Sequence, residues 1–252
     1  MNASENAERI EVYVRLKTTC VTGSGKRSEI SDYVMDLHAE IQGEYFVEAS
    51  KGGSRVIELG SLHASRIKLG KALYDGISPY DLFDESQEIM ECGESILSPG
   101  LDEFNEAVRE QFPEAFCEED LLMIHSLMLN PFARGQRAGA SALHRFVSDY
   151  EDGCSLVAIQ PMPLQFTHAY QSAERRAEFG LDSFSTDEEE GKRKLETLYT
   201  NLGFHRIQDI PFLLRCPCYQ EDVLCDTVLS DMIRLPADVL NSQPDVNQTT
   251  EN

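Results

Sequence analysis

An α/β protein built on a mixed central sheet with flanking helices is the fold class this sequence predicts, and three observations predict it. Residues 9–69 alternate polar and apolar side chains with a period of two; residues 78–120 read as helical and strongly acidic; and residues 121–150 run from a continuous apolar stretch through a glycine loop into an amphipathic helix. The chain has 252 residues, of which 41% are hydrophobic, so it can bury a sizeable core without disulfides or metals.

The first strand is expected over Arg9 to Lys17, where Ile10, Val12, Val14 and Leu16 share one face and Glu11, Tyr13, Arg15 and Lys17 the other. Tyr33 to Ile41 repeats the pattern, with Asp36, His38 and Glu40 on its polar side. A third strand, Arg55 to Leu69, is interrupted at Gly60, where a bulge or bend is expected. These three form an antiparallel meander. Between Ser78 and Asp120, Ser-Pro and Ser-Pro-Gly punctuate helices. This segment carries 14 acidic residues and one basic residue, or −13 of the net −22. It reads either as a solvated acidic face or as a docking face for something basic.

Leu121 to Leu129 is apolar enough for a strand covered on both faces. After the loop from Asn130 to Gly139, apolar residues at Ala140, Leu143, Phe146 and Val147 mark a helix to Tyr150. Cys154 to Gln160 is a second buried strand, Pro161 to Glu190 a loop, and Lys192 to Leu202 a helix whose first turn is prepared by Asp187 to Glu190. Strands at His205–Ile207 and Phe212–Arg215 follow, and the last dozen residues are polar enough to be disordered. The segmentation expected is therefore 1–77, antiparallel strands; 78–120, acidic helices; 121–215, the core that carries the chemistry; and 216–252, a C-terminal extension.

Charge and composition narrow the function. A net charge of −22 repels nucleic acid and acidic membranes, and any long-range attraction favours a cation such as a polyamine, an aminoglycoside-like molecule or a basic peptide. The polar start MNASENAERI and the lack of a membrane-length apolar run predict a cytoplasmic protein. Seven scattered cysteines are expected to be reduced thiols. Cys216, Cys218 and Cys225 form the one cluster, but a single-residue gap and three ligands do not suit zinc, so no metal is expected. Gly23-Ser24-Gly25-Lys26-Arg27 lacks the first glycine and the Ser/Thr of a P-loop and is a polar turn.

The strand, loop and helix at 121–150 are the informative feature. Glycines let a backbone approach a ligand closely, and the unpaired N–H groups of a helix N-terminus suit phosphate oxygens. A plain connection would look similar. Here, however, Arg134-Gly135-Gln136-Arg137-Ala138-Gly139 resembles the loop of the GCN5-related N-acetyltransferases (GNAT), Arg/Gln-x-x-Gly-x-Gly/Ala, and Tyr199-Thr200-Asn201-Leu202-Gly203-Phe204 resembles that family's second mark, Tyr-x-x-x-Gly-Phe. The resemblance covers roughly residues 119–215. It implies the acyl-CoA N-acyltransferase fold, with acetyl-CoA lying in a splay between the strands at 121–129 and 154–160. The pantetheine would pair with backbone at Leu127, Met128 and Leu129. The pyrophosphate would lie on Arg134, Gly135, Gln136, Arg137, Ala138, Gly139 and Ala140.

The reaction implied is direct acetyl transfer from acetyl-CoA to an amine. Tyr199 stands at the family's position for the acid that protonates the thiolate, and a core tyrosine is the other reading of it. His125 is the candidate base, alongside the reading of a satisfied core histidine, while Glu118, Glu119 and Asp120 could relay a proton through water. Three departures stand out. Arg137 replaces the loop's first motif glycine, Lys192 replaces a common asparagine, and the acidic helices occupy an unusual place before the fourth strand. The partner implied is an amine-bearing, cationic small molecule or protein; no nucleic acid or membrane is expected, and a homodimer stays open. A non-catalytic acyl-CoA-binding or interaction module is the alternative.

Overall fold

The computed structural model describes residues 8–22, 29–47, 53–116, 119–167, 172–218 and 231–246. It is an α/β structure around one mixed eight-stranded sheet. Strand β1 (Arg9–Thr22) is followed by β2 (Val34–Phe46) and β3 (Ser54–Ile67). Helices α1 (Leu69–Tyr74), α2 (Pro79–Phe83), α3 (Gln87–Ile96) and α4 (Glu106–Gln111) then lead to β4 (Asp120–Leu129). Beyond it lie α5 (Ala138–Tyr150), β5 (Cys154–Ile159), α6 (Ala173–Glu178), α7 (Glu188–Thr200), β6 (His205–Arg206) and β7 (Leu213–Arg215). The described chain closes with β8 (Met232–Pro236) and α8 (Ala237–Ser242).

The sheet order is β6-β7-β5-β4-β3-β2-β1-β8, and every pairing is antiparallel except that of β4 with β5. That parallel pair needs a crossover, which α5 supplies. On one face, α1–α4 close a core around Phe83, Phe112, Leu121, Met123 and Leu156. On the other, α5 and α7 pack on Leu122, Ile124, Val157 and Leu213. Farther along this second face, α8 covers Val12, Ile41, Tyr45 and Leu59. β4 and β5 are thus buried on both sides, which is why they read as continuous apolar runs.

Several boundaries differ from the sequence reading. β1 runs on through Thr18, Thr19, Val21 and Thr22, β-branched residues that suit a strand although an apolar count passes over the threonines. The third strand ends at Ile67, and Leu69 begins α1. The stretch from Pro161 to Glu190 contains α6 and short 3₁₀ turns. In the acidic segment, Leu82, Ile89, Cys92, Ile96 and Val108 point into the core while Asp81, Glu91, Glu94 and Glu106 are exposed.

The C-terminal extension requires a larger correction. Among the expected last dozen disordered residues, 241–246 belong to the folded structure, and 247–252 lie outside the described residues. Ile233 and Leu235 alternate inward as β8 pairs with β1, and Asp245 accepts from the Val56 N–H at 3.3 Å. Polar composition does not stop a segment from docking when two or three apolar side chains reach a prepared site.

Gly60 marks the bulge expected from the sequence. The β2–β3 register shifts there, and a Cβ on Gly60 would lie 2.0 Å from the Met128 carbonyl oxygen. Glycine therefore lets β3 approach β4 opposite Leu129.

Leu240 is completely buried beneath Tyr45, whose hydroxyl donates to the Leu240 carbonyl at 3.4 Å. Leu240→Ala should cost about 2–5 kcal/mol, measured as a lower urea midpoint. A midpoint unchanged from the parent would show that α8 does not contribute to the folded unit.

Candidate functional site

β4 and β5 pair in parallel only from Asp120 to Ile124 and from Cys154 to Ile159. Beyond that they separate. The sequence after β5 is Gln160-Pro161-Met162-Pro163, and two prolines without N–H groups cannot extend a ladder. β4 continues, held by β3 through Leu129, so its other edge at Ser126–Leu129 is left without a strand. Burial follows the divergence: Leu121–Ile124 are buried, whereas His125–Leu129 are half-buried.

A second irregularity falls at the same point. In the β3–β4 register, His63 opposes Ser126 and Ala64 opposes Ile124, so His125 is an extra residue. A bulge reverses the alternation. Leu122 and Ile124 before it, and Leu127 and Leu129 after it, consequently all pack on the α5 side of the sheet.

A cleft of about 320 Å³ opens at this divergence, within the usual range for small-molecule sites. Its walls include Ser126–Leu129, Ile159–Gln165, Leu181, Phe184 and, from α7, Lys194, Leu195, Leu198 and Tyr199. Gly135 and Gly139 line the end nearest α5. Arg137 is the N-cap of α5; no side chain caps the helix, and no acidic residue occupies its first turn. Its first N–H groups are therefore free to meet an anion.

Most of the residues expected at the site converge on this cleft. Leu127, Met128, Leu129, Arg134, Gly135, Gly139 and Tyr199 surround it, and His125 stands at its edge. Gln136, Arg137, Ala138 and Ala140 belong to the loop and first turn of α5; Ala138 and Ala140 are buried, and Arg137 is exposed. Arg134 does a different job from an open anion ligand. Its guanidinium donates to the carbonyls of Leu129 (3.0 Å), Gly180 (3.0 Å) and Phe179, and it lies 4.5 Å from the centre of the Phe184 ring. It ties the end of β4 to the wall around residues 179–184.

Glu119 is not part of this grouping. It sits at the opposite end of β4, accepting from the Ser155 hydroxyl at 3.2 Å, roughly 25 Å of strand from Leu127. Asp120 at that end is bound by Arg66 at 2.6 Å. Lys192 pairs with Glu188 at 2.7 Å. Glu118, Cys225 and residues 23–28 lie outside the described residues. Among the described residues, no group of three His, Cys, Asp or Glu side chains is arranged to hold a metal ion.

Comparison with known proteins finds no matching family model, curated protein or solved structure. The chemistry is therefore that of the side chains themselves.

Tyr199 is almost entirely buried, and burial pushes its phenol well above the usual value, so it stays protonated at neutral pH and can donate. His125 is more constrained than its sequence position suggested. Its Nε2 lies 2.8 Å from Ser65 Oγ, its Nδ1 lies 2.9 Å from Glu88 Oε2, and its ring stacks at 4.7 Å on His63. His63 in turn stacks at 4.3 Å on His38, making a three-ring ladder across β2, β3 and β4. Sequence reasoning missed Asp36, His63, Ser65 and Glu88 as members of this group. Their spacing along the chain carries no signal, because strand register and the seating of α3 bring them together.

Arg137 adopts the left-handed conformation (φ 65°) that glycine takes easily. Arg137→Gly should raise stability by about 1 kcal/mol in urea unfolding, since the left-handed penalty of a side chain is removed. A loss of stability would mean that the guanidinium makes compensating contacts.

His63 is held down to about 4, by burial first and then by His125 and His38. The unfolded chain takes up the His63 proton near 6.5, before the folded chain does. Its contribution to stability is therefore present above about pH 6.5 and is lost as the pH falls towards 4. His63→Gln should flatten the fall in unfolding free energy over that window. An unchanged slope would show that the ring titrates normally.

Proposed function

We propose that the protein is an acetyltransferase that moves the acetyl group of acetyl-CoA directly to an amine. The observation that carries this reading is the divergence of β4 from β5, which leaves the edge at Ser126–Leu129 facing a cleft whose far end is the uncapped N-terminus of α5. An acyl-pantetheine arm is an extended chain with two amides, so it can pair with a free strand edge as an added strand would. The pyrophosphate is an anion and suits the N–H groups of Gly135 to Ala140. The mixed sheet flanked by helices is compatible with the fold expected for such an enzyme.

The residues then take distinct roles. Leu127 and Leu129 hold the open edge in place by packing towards α5, and Gly139 lets the helix come close to both. Arg134 shapes the wall instead of binding phosphate. Tyr199, protonated and lining the cleft, gives a proton to the departing thiolate. The amine is cationic before reaction, and the exposed carboxylates of α3 and β2 favour its approach.

A non-catalytic acyl-CoA-binding module is the second reading. Arg137 favours it, because a charged side chain stands where the loop it resembles carries a glycine. Among the described residues no helix is long and apolar enough to cross a membrane.

Calorimetric titration with acetyl-CoA, with CoA and ATP as controls, tests the common part of both readings. Micromolar binding of acetyl-CoA with ATP silent is expected, and no binding of either coenzyme ends the proposal. Thiol release in the presence of spermidine, an aminoglycoside or a lysine peptide then separates them. Tyr199→Phe should lower turnover roughly a hundredfold while leaving acetyl-CoA affinity unchanged. Binding without thiol release from any acceptor favours the module.

A further inference from the structure

Charge is spread unevenly between the cleft and the rest of the molecule. Asp and Glu make up 44 of the 252 residues, yet among the described residues none of them lines the cleft beside β4 and α7. Two cations do, Arg134 and Lys194. A protein with a net charge of −22 thus keeps acids out of one concave surface and places bases there. Such a surface suits an anion, against the long-range preference of the molecule as a whole.

The two cations are held differently. Arg134 gives its N–H donors to the carbonyls of Leu129, Gly180 and Phe179, and among the described residues no carboxylate pairs with it, so its charge stays uncompensated in the wall. Lys194 stands on the face of α7 that also turns Leu195, Leu198 and Tyr199 to the cleft. Its side chain is 66% exposed, and Glu190, one turn earlier, holds its Nζ at 2.8 Å. Glu190 in turn accepts from the Ser185 hydroxyl at 2.7 Å, which ties the pair to the opposite wall. An ammonium has three N–H donors, and Glu190 takes one, so Lys194 keeps donors for a ligand. Gly135 and Gly139, beside the uncapped first turn of α5, line the same cleft.

We propose that Lys194 is a specificity-determining residue that meets a phosphate of the acyl donor, so that the cleft selects a phosphorylated thioester over an uncharged one. This rests on the acetyltransferase reading and names the class of its donor. A phosphate oxygen accepts from an ammonium in a charge-assisted bond, roughly twice as strong as a neutral one. Arg134 adds its field from the wall without leaving its carbonyls. The apolar lining offers no such discrimination, because it holds the pantetheine arm of a charged and of an uncharged donor alike. The phosphate adds to the arm and does not replace it, so ATP stays silent. The same charge pattern disfavours a cationic acceptor inside the cleft and reserves it for the donor.

The test measures acetyl-CoA binding by calorimetry to the parent and to Lys194→Gln, Lys194→Arg and Lys192→Gln. Lys192 belongs to the same helix but not to the cleft lining, and its loss changes the net charge equally. Lys194→Gln should weaken acetyl-CoA about tenfold, the size of one hydrogen bond to a charged group, and the deficit should shrink at high salt. Lys194→Arg should keep most of the affinity, and Lys192→Gln should change it less than about twofold. S-acetyl-pantetheine, which carries no phosphate, should bind the parent at least about tenfold more weakly than acetyl-CoA. An affinity of Lys194→Gln within about twofold of the parent, an equal loss in Lys192→Gln, or a penalty for S-acetyl-pantetheine below about tenfold overturns the proposal and leaves the acetyl-CoA reading standing. A parent that does not bind acetyl-CoA overturns both.

Discussion

The arrangement depends on one constraint, that β4 and β5 pair at one end and cannot pair at the other. Parallel strands joined through a helix must start side by side, and here Arg66 fastens that start. It binds Asp120 at 2.6 Å and the carbonyl of Asp152 at 2.9 Å, tying the head of β4 to the turn that leads into β5. At the other end, Pro161 and Pro163 remove the donors that would continue the ladder, and Arg134 fixes the loosened end of β4 to the residues around Gly180. One arginine closes the pair and the other holds it open. The gap is therefore built into the fold, and its lining is set before any ligand arrives.

The bulge at His125 sets which side chains face each side of the sheet beside the gap. It keeps Leu127 and Leu129 packed towards α5 and turns the imidazole to the opposite face, where α3 brings Glu88 against it. Without the extra residue, Leu127 and Leu129 would point to the polar face. Most carboxylates of the acidic segment are simply the solvated side of amphipathic helices whose apolar side completes the core around Phe83 and Phe112. Glu88 differs from them, because it is bonded to a buried ring, and that bond holds its carboxyl below the usual range.

Much of the architecture was legible in the sequence, for physical reasons that particular residues show. Ile10 to Leu16 and Tyr33 to Ile41 alternate because one side of each strand is wet. Leu121 to Ile124 do not alternate because helices cover both sides. A glycine-containing loop stands between strand and helix as expected, but it ends at Arg137, and Ala138 and Gly139 already belong to α5. Other features could not be read in this way. The period-two pattern of Ile233 and Leu235 is present but too short to stand out in a polar tail. Glu119 and His125 lie on one strand, and nothing in their spacing shows that the site opens at the far end alone. The ladder of His38, His63 and His125 is a product of register, which a linear pattern does not contain.

Burial then decides what each polar group can contribute. Tyr199 loses the option of ionising at neutral pH and keeps that of donating. His125 loses access, with both ring nitrogens engaged. Glu88 keeps its access and has one oxygen committed to the ring. The net negative charge acts at longer range, where it favours the approach of a cation over that of an anion.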